Sequence, residues 1–283
     1  MQRWVYICLV LLSLVVASSL ALGPYAARRA IFIGAYDKGL KTAARTDAWL
    51  PLPLAATRNM AVGSYTSGKG SSLPLVIYFH GNAESALSGS GSAILSRAFG
   101  ADVVAVEYRG YGPGAGGRMG PSFSLYPSDA YLQLSSIFSP GGHAGRDPSR
   151  KVIVYGFSLG GAIALGGYHA ADPFMKAKLS NPRVTWVLDS TFSDTLDIVP
   201  QFTRAIARVL SWGQASIDSR RRASALARSG ARIFVLSSKG DSVVPYWSSS
   251  RLARSAGVSV TEGVGDHCNL SVEHPPVLKA VLD

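Results

Sequence analysis

Beyond residue 72 the chain alternates regularly. Short apolar runs (Leu75 to Phe79, Val103 to Tyr108, Lys151 to Tyr155, Val184 to Leu188, Ile233 to Leu236 and Val258 to Val260) are separated by longer segments of helical character. Short, largely apolar runs of this kind read as strands, and their alternation with helices predicts a mostly parallel α/β sheet flanked by helices. Residues 25–72 differ: they lack strong periodicity, contain Pro51 and Pro53, and end in a Gly/Ser-rich run, Ser67 to Ser72, that reads as a loop. They are expected to form an N-terminal extension holding the first strands, ahead of a main domain over 73–283.

Residues 1–24 have a separate character. Trp4 to Leu22 is 19 residues long without a charge; as a helix it reaches about 28 Å, close to the thickness of a bilayer's hydrocarbon core. A single-pass N-terminal transmembrane anchor is expected. Ser19-Leu20-Ala21 could instead serve as a signal-peptide cleavage site, which would make the product secreted. Arg28, Arg29, Lys38 and Lys41 outnumber Arg3 on the other flank, so an uncleaved anchor would leave the main domain on the cytoplasmic side.

Composition narrows the partners. The chain has 283 residues, of which 47% are hydrophobic and 16% charged, with a net charge of +11; this excludes a disordered chain. Cys8 and Cys268 are its only cysteines, too few for a disulfide framework or a cysteine-built metal site. Residues 201–260 carry ten basic side chains against Asp218 and Asp241, a net +8 of that +11. Between the runs ending at Asp189 and Ser237, Leu196, Val199, Phe202, Ile206, Val209 and Leu210 form an apolar stripe at helical spacing, with Arg204 and Arg208 displaced from it. The plain reading is a helix packed on the sheet with solvated arginines. The alternative is a basic helical cover, between the sixth and seventh strands, that faces an anionic membrane. Nucleic acid is not expected as a partner, because no stacking surface or recognition motif accompanies the charge.

In open parallel sheets the chemistry sits outside the carboxyl ends of the strands. The third apolar run leads straight into Gly156-Phe157-Ser158-Leu159-Gly160-Gly161 and then helix-compatible Ala162 to Leu165. G-x-S-x-G between a strand and a helix places the serine on a turn too tight for neighbouring side chains, and Ser158 is the candidate nucleophile. A serine needs a histidine to take its proton, and the histidine needs a carboxylate to fix its tautomer. His80, His143, His169 and His274 are placed less well than His267, which follows the last short strand and comes last in chain order. Asp241, beyond the run ending at Leu236, is the expected acid, with Asp189 as runner-up; Asp266 is too near His267 in sequence and reads as a loop-capping carboxylate. The oxyanion would be held by the N–H of Leu159 and, after the first run, by that of Asn82. No cofactor or metal is called for.

Tyr78 to Glu84 (YFHGNAE), Glu107 to Gly112 (EYRGYG), the Ser158 turn, Asp189 to Phe192, Asp241 to Pro245 and the His267 loop, in this order, resemble the α/β-hydrolase superfamily. The branch most similar comprises α/β-hydrolase-domain proteins, many with one N-terminal anchor, that act as lysophospholipases or protein depalmitoylases. The resemblance covers about residues 73 to 283. It implies a charge-relay triad of Ser158, Asp241 and His267 cleaving a carboxylic ester or thioester, on a lipid, small-molecule or acyl-protein substrate, through an acyl-enzyme. A serine peptidase or amidase on the same triad, and an inactive hydrolase-fold binding protein, are the alternatives. Glu107 stands where the family usually has Asp, at a position expected to be structural.

Overall fold

The computed structural model describes residues 49–51, 61–65, 73–86, 90–111, 122, 124–199, 217–267 and 269–282, the first two stretches as main chain only. The expected anchor (1–24), most of the 25–72 extension, Cys268 and most of the expected cover lie outside the described residues.

Eight strands form one sheet in the order β1-β2-β4-β3-β5-β6-β7-β8. They are β1 (Trp49–Pro51), β2 (Ala61–Tyr65), β3 (Leu75–Phe79), β4 (Asp102–Val106), β5 (Val152–Phe157), β6 (Val184–Asp189), β7 (Arg232–Ser238) and β8 (Val260–Gly263). The β1–β2 and β2–β4 pairings are antiparallel and all others parallel. The crossover from β3 through β4 and back past β3 to β5 makes β3 and β5 the central pair.

The helices are α1 (Ser90–Phe99), α2 (Tyr126–Ile137), α3 (Leu159–Ala170), α4 (Pro173–Leu179), α5 (Ser219–Arg228), α6 (Tyr246–Ser255) and α7 (Pro275–Leu282). Strand residues alternate between two cores, as the pleat requires. Leu75, Ile77, Phe79, Val152 and Val154 face the layer of α2 to α6; Val76, Tyr78, Ile153 and Tyr155 face α1 and α7. Trp186 is fully buried on the first side, its indole N–H donated to the Leu179 carbonyl at 3.0 Å. Filling such a position contributes roughly 1.5–3 kcal/mol.

Two expected boundaries shift for physical reasons. The last strand runs Val260–Gly263 and not Val258–Val260, because the Val258 N–H turns back to the Ala253 carbonyl, at 3.0 Å, and closes the end of α6. The second apolar run stops at Val106, where pairing with Phe79 ends, and Glu107 turns inward.

The start of the expected apolar stripe is also corrected. Thr195–Ile198 is a 3-10 turn capped by Asp194, and Val199 is extended, so Leu196 and Val199 do not begin a continuous α-helix through the stripe. Phe202, Arg204, Ile206, Arg208, Val209 and Leu210 lie outside the described residues. Arg220, Arg221 and Arg222 fall on α5, a flanking helix started by the Asp218 cap on the Arg221 N–H at 3.1 Å. Its buried residues, Ser219, Ala223 and Leu226, lie on the helix that packs against α3, and the Arg222 guanidinium reaches the Ala162 carbonyl of α3 at 3.4 Å. These three arginines therefore flank the helix that follows Ser158.

Candidate active site

The turn between β5 and α3 is built on close approach. A methyl group at Gly156 would lie 2.4 Å from the Gly161 Cα, and one at Gly160 would lie 1.9 Å from the Phe79 carbonyl oxygen and 2.6 Å from that of His80. Neither position can carry a side chain, so the first turn of α3 presses against the end of β3. Ser158 between them has φ 52°, a left-handed conformation that costs on the order of 1–3 kcal/mol for a residue with a Cβ and is held here by its surroundings. Its N–H is donated to the Asp189 carbonyl at 2.8 Å. Its hydroxyl makes no helix-capping bond.

That hydroxyl lies 2.9 Å from His267 Nε2, and His267 Nδ1 lies 2.8 Å from Asp241 Oδ2. The remaining Asp241 oxygen accepts the N–H groups of Val243 and Val244 at 2.9 and 2.7 Å. Burial works against the charged form of Asp241, but the bonds from His267, Val244 and Val243 outweigh it and hold the carboxyl below its ordinary value. The structure thus brings together the three residues expected from chain order, across 109 positions between Ser158 and His267.

Two loops carry the acid and the base, and they are stitched together. Asp266 Oδ1 accepts the Ser242 N–H and hydroxyl at 3.0 and 2.7 Å and the His267 N–H at 2.7 Å. These donors pull its carboxyl down to about 2. Ser238 adds a hydroxyl bond to the Gly265 carbonyl at 2.6 Å. Phe157 stacks on the His267 ring with centroids 5.3 Å apart.

Leu159 opens α3 with its N–H at the positive end of the helix. Asn82 sits in the turn after β3, against which Gly160 packs. Its side-chain oxygen accepts the Tyr111 hydroxyl at 2.5 Å, and Glu84 accepts the Gly81 N–H at 3.1 Å and the Tyr78 hydroxyl at 2.5 Å. The loop is thus shaped before any substrate arrives. His80 belongs to that scaffold: fully buried, it bonds Glu107 at 3.0 Å and stacks on Tyr108 at 4.1 Å. Burial pulls its basicity down, but Glu107 raises it by more. Glu107 also accepts from Ser85 at 2.6 Å and from the Ala86 N–H at 3.1 Å, the structural role expected for it.

Asp189, the runner-up acid, points elsewhere. Completely buried, its carboxylate accepts the Tyr155 hydroxyl, the Ser271 N–H at 2.8 Å and the Ser271 hydroxyl at 2.5 Å. Burial lifts its carboxyl from 3.8 to about 6, and those donors and the charge on His267 offset that only in part. Between about pH 6 and pH 4 the folded protein holds a proton that the unfolded chain has released, so this group favours folding increasingly as pH falls through that window. Ionised at neutral pH it costs on the order of 3 kcal/mol. In urea denaturation, the stability of the wild type relative to Asp189→Asn is expected to improve by about 1 kcal/mol between pH 7.5 and pH 5. An unchanged difference would mean that the carboxyl does not titrate there.

The Ser271 and Tyr155 partners of Asp189, the Asp266 to Ser242 clip and the Phe157 stack are not predicted from the sequence. Each joins residues far apart in the chain or depends on a loop's path, and no local pattern marks them.

Residues 70–225, more than half of the chain, match the family described as serine aminopeptidase, S33. Among solved structures, an esterase from Pyrococcus furiosus is similar over 79% of this chain and 83% of its own, with a TM-score of 0.51 and 15% identity. A lipase-esterase related protein from Clostridium acetobutylicum is similar over 79% of this chain and 98% of its own, with a TM-score of 0.55 and 14% identity. Dipeptidyl peptidase 4 from Porphyromonas gingivalis is similar over 83% of this chain and 35% of its own, with a TM-score of 0.55 and 15% identity. At these identities the likeness is one of fold.

Proposed function

Because the chain belongs to the serine aminopeptidase S33 family of α/β hydrolases, we propose that it is a serine hydrolase that cleaves carboxylic esters or thioesters of lipid or acyl-type substrates. The observation that carries this reading is the continuous hydrogen-bonded chain from Ser158 Oγ through His267 to Asp241, at 2.9 and 2.8 Å. Ser158 Oγ attacks the carbonyl carbon while His267 Nε2 takes its proton. The oxygen gains negative charge and is received by the N–H groups of Leu159 and Asn82. His267 then gives the proton to the leaving oxygen or sulfur, leaving an acyl-enzyme that water resolves by the same steps. Asp241 holds Nδ1–H throughout and stabilises the imidazolium.

An acyl substrate suits the rim of the site. Val243, Trp247 and Val264, on or next to the acid and base loops, are all exposed, an apolar surround fitted to a hydrocarbon chain. A peptidase is the second reading, favoured by the family's own description.

In this reading residues 1–24 anchor a catalytic domain of 73–283 to a membrane through the 25–72 extension, with secretion after cleavage as the alternative. Among the described residues no helix is long and apolar enough to cross a membrane; Trp4 to Leu22 is not among them. The test of substrate class sets p-nitrophenyl esters of increasing chain length against aminoacyl p-nitroanilides. Turnover of the esters is expected to dominate, with a preference for longer chains. Preferred cleavage of the anilides would move the assignment to a peptidase.

A further inference from the structure

Two separate parts of the site are tied to Asp189. Through the main chain, its carbonyl accepts the Ser158 N–H at 2.8 Å and so holds the nucleophile's turn. Through the side chain, its carboxylate holds both donors of Ser271, at 2.8 and 2.5 Å. Ser271 opens the 3-10 turn Ser271–Glu273, four residues beyond His267, so this clamp sets where the base loop ends. Tyr155, on the neighbouring strand, donates its hydroxyl to the same carboxylate oxygen that takes the Ser271 N–H. A carboxylate at 0% exposure is costly to keep, and an apolar side chain would fill the same space without that cost. The acid of the relay is Asp241, so Asp189 does not serve in that role.

We propose that Asp189 is a positioning residue for the reaction: holding Ser158 by its carbonyl and Ser271 by its carboxylate, it sets the distance between Ser158 Oγ and His267 Nε2. The inference rests on Ser158, His267 and Asp241 being the reacting triad. Phe157 packs on the His267 ring, so it limits movement of the ring from its own side but leaves the far end of the loop to Asp189. A base displaced by about 1 Å can cost on the order of 100-fold in rate.

The test measures kcat per active site, with sites counted by fluorophosphonate titration so that misfolded protein does not contribute. Asp189→Ala leaves Ser271 and Tyr155 without their acceptor, and kcat per site is expected to fall about 10- to 100-fold, with KM changed by less than about twofold. Asp189→Asn keeps an acceptor oxygen of the same size and is expected to recover most of the loss. Ser271→Ala should give a smaller loss, and the double variant Asp189→Ala, Ser271→Ala should be no worse than Asp189→Ala alone, because both remove the same link. A role in folding alone would lower the number of titratable sites and leave kcat per site unchanged; that result overturns the proposal. Should Asp189→Ala fail to fold, a Ser271→Ala enzyme with wild-type kcat per site overturns it equally. Failure of the wild type to take the label would instead refute the triad reading on which the inference rests.

Discussion

Ser158→Ala is expected to lower kcat for a p-nitrophenyl ester by about 10⁶-fold while leaving the protein folded. The change removes one oxygen and, with it, the hydrogen bond to His267. The Ser158 N–H still reaches the Asp189 carbonyl, and alanine meets the same φ of 52° with the same Cβ, so the strain of the turn is unaltered. No second hydroxyl is bonded to His267 among the described residues to take over the attack. The measurement pairs ester turnover with thermal unfolding: activity should vanish at an unchanged melting temperature. Residual activity above about 1% would point to another nucleophile.

Asp241→Asn is expected to cost about 10⁴-fold at neutral pH through the tautomer of His267. The Asp241 oxygen that accepts from Val243 and Val244 requires an acceptor, so the asparagine carbonyl will occupy that place and its NH2 will face Nδ1. Nδ1 must then accept, its proton moves to Nε2, and the nitrogen facing Ser158 becomes a donor that cannot take the hydroxyl proton. The loss should appear in kcat for both acylation and deacylation, with KM little altered. Activity within tenfold of wild type would show that another carboxylate orients the ring.

The parts of this site legible in the sequence are those set by local rules. β3 and β5 lie at the centre of the sheet, so their residues are buried on both faces and read as apolar runs. The glycines around Ser158 are required by approaches of about 2 Å that any sequence making this turn must respect. Asp241 and His267 follow from their places after β7 and β8. The edge was harder: Val260–Gly263 contains Thr261 and Glu262, because a strand paired on one side need not be apolar. The 3-10 turn at Thr195–Ile198 was hidden because Leu196 and Val199 fit a helical stripe, whereas Asp194 capping the Leu196 N–H at 2.9 Å decides otherwise. Arg220, Arg221 and Arg222 belong to α5, and only the contact of that helix with α3 reveals where they lie. Asp189 has the chemistry of a triad acid, and only its bond to Ser271, 82 positions away, reveals where its carboxylate points.

The central claim is that Ser158 is a nucleophile activated by His267. The most direct test treats folded protein with a fluorophosphonate, digests it and locates the adduct by mass spectrometry. The predicted result is one adduct, on the peptide containing Ser158, absent from Ser158→Ala and formed far more slowly by Asp241→Asn. An adduct on any other residue, or none on well-folded wild type, would contradict it.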